Sequence, residues 1–291
     1  MSTHRFGGNW TERKLKALEA YLTQYQTIFK KNTFARRYKT IYVDAFAGTG
    51  DRDNRQPDDN MTLFDYDNDA PEFQNGSVRV ALELPQKFEE YIFIDQKPSH
   101  VRALNKLISS NYGEISHLCQ VIQGDANAWL TEWCKKQDWK TQRAVVFLDP
   151  YGMSVSWATI AAIAETKAID LWLLFPYAIG ANRMMPKDGL PETIWGKKLT
   201  NVFGSTDWVS RCYKRTVEND LFSGEINAIV KTVAKEDILE YFLEKLATVF
   251  PQVVDKPMIL NNSHNSPMYA LCFAAENSVA LKIAKHLAKS K

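Results

Sequence analysis

Thr40-Ile41-Tyr42-Val43-Asp44-Ala45-Phe46-Ala47-Gly48-Thr49-Gly50 passes from β-branched and aromatic side chains through a carboxylate to closely spaced glycines. That order predicts a buried strand ending in a tight turn. Glycine at 48 and 50 tolerates positive φ and leaves room for a ligand where a Cβ would collide. A dinucleotide fingerprint requires a third glycine at position 53, where Asp53 stands, and a P-loop requires Gly-Lys-Ser/Thr, which does not occur. Asp44, Phe46, Gly48 and Gly50 are therefore the candidates to line a nucleotide-like cofactor.

Three further strand ends carry acidic residues. Tyr91-Ile92-Phe93-Ile94-Asp95 reads as a short buried strand, and in a doubly wound sheet a carboxylate at the end of the second strand accepts hydrogen bonds from a ribose. Cys119 to Gln123 runs into Gly124-Asp125-Ala126-Asn127, where Asp125 and Ala126 face two readings. The Asp125 carboxylate either accepts from the exocyclic amine of a bound adenine or caps the helix that follows. Ala144 to Leu148 delivers Asp149, Pro150 and Tyr151 at its carboxyl end, where doubly wound folds place ligands. A carboxylate that accepts N–H bonds would orient an amine nitrogen, while an aromatic ring stacks on a base. These three residues are the catalytic candidates, with Walker-B-like packing and a proline turn as the alternative.

The remaining strands are Ile169–Phe175, about Val253–Leu260 and Tyr269–Ala275, the last two joined by a polar loop as an antiparallel pair. The expected fold is α/β and Rossmann-like: a mostly parallel seven-stranded sheet with helices on both faces, in one domain over 1–291. Two insertions interrupt the rhythm. Residues 51–75 are acidic and aperiodic and read as a long loop, either a lid or a flexible insertion. Residues 178–235, rich in Trp, Arg and Lys, read as a helical insertion or subdomain suited to substrate recognition.

Before the first strand, Leu15, Leu18, Tyr21, Leu22, Tyr25 and Phe29 mark an amphipathic helix from Trp10 to about Lys31. It carries Arg13, Lys14, Lys16, Lys30 and Lys31, with Arg36, Arg37 and Lys39 close behind. These basic residues are either a solvated face or, together with 183–215, a patch for nucleic-acid phosphates. The net charge of +2 decides nothing here, because binding depends on where charges sit. Four dispersed cysteines and five dispersed histidines show no metal-ligand spacing, so no metal site is expected. No apolar run approaches the roughly 20 residues of a membrane span, and Met1 to Arg5 begin no leader; the expected location is cytoplasmic.

The Asp44-x-Phe46-x-Gly48-x-Gly50 turn is similar to that of class I S-adenosylmethionine (SAM) methyltransferases. Asp149-Pro150-Tyr151-Gly152 resembles the Asp-Pro-Pro-Tyr motif of amino-methylating enzymes and the Asp-Pro-Phe-Gly form of guanosine N2 methyltransferases, with one proline where the former has two. Together with the N-terminal helix and Phe93-Ile94-Asp95-Gln96-Lys97-Pro98, these motifs resemble the three-Cys-motif partner (TcmP) family over most of residues 10 to 180. The likeness of the glycine turn implies SAM as cofactor, and that of the Asp149 motif implies methyl transfer to an exocyclic amine of a nucleic-acid base; the family resemblance implies a Rossmann-type methyltransferase fold. It also implies, as the alternative, a protein that works only with a radical-SAM-like partner bearing three cysteines.

Overall fold

Every residue of strand β1 (Lys39–Asp44) after the first is buried, because parallel neighbours flank it on both edges. The computed structural model describes residues 9–49, 75–220 and 224–289. Gly50 and residues 51–74 of the acidic stretch lie outside the described residues.

β1 pairs in parallel with β2 (Glu90–Asp95) and with β4 (Gln142–Leu148). β3 (Cys119–Gln123) extends the sheet beyond β2, and β5 (Ile169–Phe175) extends it beyond β4. The chain thus winds outward from β1 in one direction through β3, then returns to place β4 on its other side. The crevice between β1 and β4 is the point where the strand order reverses, and ligands of open α/β sheets bind outside the carboxyl ends of the strands there.

Beyond β5 the sheet turns antiparallel through β10 (Pro267–Ala275). The strand expected over Val253–Leu260 is two strands. β8 (Gln252–Val253) pairs the end of β10 and β9 (Met258–Asn261) pairs its beginning. Pro257 stands between them and has no N–H to give a ladder. The sheet is therefore mixed and has eight strands, in the order β3-β2-β1-β4-β5-β10-β8 with β9 also on β10, and the expected count of seven is corrected.

Its two faces differ in kind. One is aliphatic, with Ile41, Val43, Ile92, Val146 and Leu173, and lies under α4 (Ala126–Lys136), α5 (Trp157–Glu165) and the helices of residues 193–247. The other is aromatic, with Tyr42, Tyr91, Phe93, Phe147, Trp172 and Phe273, and lies under α1 (Asn9–Lys31), α2 (Asn75–Glu83) and α3 (Pro98–Asn111). Strict alternation along each strand produces the division. On α1 the residues turned to this face are Trp10, Lys14, Ala17, Leu18, Tyr21 and Tyr25, all buried. Their spacing is that of one helical stripe, and a lysine stands within it.

The segment 178–235 is not wholly helical. A π-helical turn (Tyr177–Ala181) leads into α6 (Asn182–Met184), α7 (Thr193–Phe203) and α8 (Trp208–Cys212). An antiparallel hairpin follows, β6 (Tyr213–Asp220) with β7 (Gly224–Lys231). α7 ends at Gly204, where φ is 76° and a Cβ would strike the Trp157 ring, so only glycine serves. α9 (Lys235–Ala247) and α10 (Ser278–Lys289) complete the helices.

Candidate functional site

Four strand ends bring their polar residues to one rim of the sheet. At the end of β1, Asp44 has no exposed surface. Its Oδ1 accepts the Phe46 N–H at 3.4 Å, and the carboxyl also accepts from Ser77 on α2. Its Oδ2 is buried with no hydrogen-bond partner. Desolvation pushes this carboxyl up to about 7, the Asp149 charge adds to the rise, and Ser77, the Phe46 N–H and Lys14 oppose it. The Tyr42 hydroxyl, two residues back on the same face of β1 and also buried, acts on this carboxyl without reaching bonding geometry, so Oδ2 is an under-satisfied acceptor rather than one with no donor near it.

The turn after Asp44 is held from the neighbouring strand. Gly48 adopts φ 63°, which favours glycine, and donates its N–H to Asp95 Oδ2 at 3.0 Å. Asp95 also accepts the Lys97 N–H at 2.7 Å and meets His100 Nδ1 at 3.0 Å. Its backbone carbonyl takes the Gly124 N–H at 3.1 Å, tying the end of β3 to the same hub. Asp95 thus organises the glycine turn as well as being placed at the end of the second strand. Phe46, half-buried, packs its ring on the aliphatic core.

One strand further out, Asp125 caps α4 by accepting the Ala128 N–H at 2.8 Å, and Ala126 is buried at the first position of that helix. Of the two sequence readings of Asp125, the cap is present. Asn127 on α4 reaches the loop beyond β4, donating to the Ser154 carbonyl at 2.9 Å and accepting the Ser156 N–H at 2.8 Å. That loop carries Pro150, which is buried, and Tyr151, which is 44% exposed with Lys97 Nζ 5.7 Å from its ring centroid.

Asp149 is 8% exposed and is paired with Lys14 of α1, itself 1% exposed. The Lys14 ammonium also lies 5.5 Å from the Trp10 ring centroid and 6.0 Å from that of Phe147. Lys14 was grouped by sequence with the solvent-facing basic residues, and the structure corrects this. The signal was available: Trp10, Lys14, Leu18 and Tyr21 fall at i, i+4, i+8 and i+11 on one stripe. Other basic residues at this end are also paired, Lys16 with Glu12, Lys30 with Glu89 and Lys39 with Glu90, so the expected N-terminal patch presents less positive charge than its count. Ser77 lies inside α2 and turns to Asp44.

The rim therefore gathers Asp44, Gly48, Asp95 and Asp149 with Lys14, while Asp125 stands at its far side. Neighbouring strands are about 4.8 Å apart, so the three spacings from β3 to β4 spread these strand ends over about 14 Å. Among the described residues no group of three or more His, Cys, Asp or Glu is arranged to hold a metal, and no helix is long and apolar enough to cross a membrane.

No protein-family model and no curated protein matches the chain. Among solved structures, a Legionella pneumophila protein of the DUF519 family model is 14% identical over 93% of this chain and 98% of its own, at a TM-score of 0.44. The glycopeptide N-methyltransferase MtfA complexed with (S)-adenosyl-L-methionine is 9% identical over 94% of this chain and 99% of its own, at 0.39. An rRNA methylase from Streptococcus thermophilus is 10% identical over 74% and 94%, at 0.32. Overlaps this loose carry no argument about site or substrate, and the fold rests on the strand order itself.

Proposed function

We propose that this chain binds SAM along the rim of β3, β2, β1 and β4 and transfers its methyl group to an exocyclic amine of a nucleic-acid base. The observation that carries the reading is the Asp44 carboxylate, buried at the β1–β4 crevice with one oxygen under-satisfied. SAM brings an ammonium and a sulfonium, both cations, and a ribose with two hydroxyls. The residues fit that chemistry: Asp44 for the positive end, the Gly48 turn for close approach, Asp95 for the ribose, and Asp125 with Ala126 for the adenine. What SAM supplies when bound is an electrophilic methyl group. The chain's own part at the other end is to hold the acceptor nitrogen against Asp149 and to stack its base on exposed Tyr151, the buried Pro150 setting the turn between them.

Nucleic acid as the source of that amine is supported by the exposed Lys187, Lys197, Lys198, Lys214 and Arg215 of the insertion. Binding through them releases counterions and so weakens steeply as salt rises. The reading is tested by calorimetric titration with SAM and with its demethylated product. Binding of both is expected; no heat at millimolar ligand overturns the cofactor assignment.

A second reading, a protein that keeps this fold but acts only with a three-cysteine partner as the three-Cys-motif resemblance implies, has one observation in its favour. Leu190, 47% exposed, lines an open groove of about 570 Å³ with Pro191, Trp208 and Val209. Under that reading the complex forms and functions with Asn in place of Asp149.

A further inference from the structure

We infer that the ε-amine of Lys14 is itself a methyl acceptor, so that the chain methylates its own first helix. The inference rests on the methyltransferase reading above and goes beyond it in naming a modification site on the chain.

Three observations converge on this amine. First, Lys14 Nζ is hydrogen-bonded to Asp149 Oδ2, the carboxylate that would hold an acceptor nitrogen, so it stands where the substrate amine would stand. Second, its surroundings are those that recognise an alkylammonium: a carboxylate, and the faces of Trp10 and Phe147 within about 6 Å, an arrangement that suits a methylated ammonium at least as well as a bare one. Third, the amine lies at the β1–β4 crevice, close enough to Asp44 for its charge to act on that carboxyl, and Asp44 immediately precedes the glycine turn. The first turn of α1 is fixed over this point by the stacking of Trp10 on Tyr269 at 5.2 Å.

Stability alone gives no reason for the pair. Replacing a buried ion pair by apolar residues of similar volume is often neutral or stabilising, so stability does not account for a lysine and an aspartate at this depth. The transfer balances with groups already named. The Lys14 ammonium gives one proton to the Asp149 carboxylate and becomes a neutral amine. Its lone pair forms the new C–N bond to the sulfonium methyl as the C–S bond breaks, that pair returning to sulfur to leave a neutral thioether. Nζ then carries the positive charge as a secondary ammonium, and the proton on Asp149 passes to solvent.

The test uses the purified full-length chain. Calorimetry with the demethylated product, which has no methyl group to give, measures binding alone. Peptide mass spectrometry, on the chain as purified and after incubation with SAM, then locates any added methyl group. Binding together with a gain of one CH2 on Lys14, approaching one per chain, is the expected result. Binding with Lys14 unmodified, or with methyl groups scattered over exposed lysines, overturns the inference and leaves the cofactor reading standing. Absence of binding overturns both, and does so in the calorimeter before any mass is measured.

Discussion

Asp44 and Asp170 are both pushed up to about 7, in each case by desolvation first, and both face α1 from the aromatic side of the sheet. Their surroundings differ. Asp170, near the start of β5, accepts the Tyr21 hydroxyl at 2.6 Å and is eased downward by Arg143, whose guanidinium stacks on Tyr38 at 3.9 Å. Asp44, at the end of β1, has its Oδ2 under-satisfied and a second carboxylate beside it. Lys14 and Tyr21 are seven residues apart, about two turns or 10 Å along the helix, so α1 touches opposite ends of the parallel strands. A raised carboxyl is thus no sign of a site by itself. The satisfied one at the amino ends is part of the packing, and the under-satisfied one at the carboxyl ends is the one we propose to meet the ligand.

A change of pH acts on both carboxyls. Both folded values lie above the ordinary 3.8, so between about pH 4 and 7 the folded chain binds more protons than the unfolded one. Stability therefore falls as pH rises through that window and levels off above 7, each group contributing on the order of 4 kcal/mol to the loss. Asp44→Asn and Asp170→Asn should each flatten part of the slope in denaturant titrations. Saturating SAM should flatten only the part that belongs to Asp44; an equal effect on the part that belongs to Asp170 would erase the distinction.

Next comes the reaction itself. Asp149→Asn should lower methyl transfer by two or more orders of magnitude, on the order of 3 kcal/mol, while SAM affinity stays within about 1 kcal/mol. Asp170→Asn should leave transfer unchanged. Radiolabelled methyl incorporation reads both, and undiminished transfer by a folded Asp149→Asn chain refutes the role given to that carboxylate. A smaller effect belongs to Asp95→Ala, which removes the Gly48 partner and the ribose acceptor together and should weaken SAM binding by roughly 1.5 to 3 kcal/mol in calorimetry. Least of all, Asp125→Ala should cost about 1 kcal/mol of stability by thermal or chemical unfolding, the worth of a helix cap.

Much of this was legible in the sequence because each parallel strand announces itself by a run of buried β-branched or aromatic residues and ends in a carboxylate or a glycine. Asp44, Asp95, Asp125 and Asp149 were found in that way. Lys14 was not, since a charge on an amphipathic helix is ordinarily solvated, and only its partner across the fold makes it tolerable inside. The hairpin of β6 and β7 falls where the sequence predicts helix, because Ile226-Asn227-Ala228-Ile229-Val230-Lys231 carries no clean period of two. The division of the sixth strand hinged on Pro257, a residue whose effect on a ladder is felt only once the neighbouring strand is known.

The first helix also sets an order on the making of the molecule. Its partners Asp149 and Asp170 lie 135 and 149 residues further along the chain. At about 5–20 residues per second of synthesis, α1 emerges roughly 7 to 30 s before these two carboxylates, at the end of β4 and the start of β5, exist. Until then Tyr25 has Phe88 and the first strands to rest on, while Lys14 and Tyr21 have no carboxylate to pair with. The polar members of the stripe are thus the last to be partnered, and the helix is locked over the sheet only when β4 and β5 arrive.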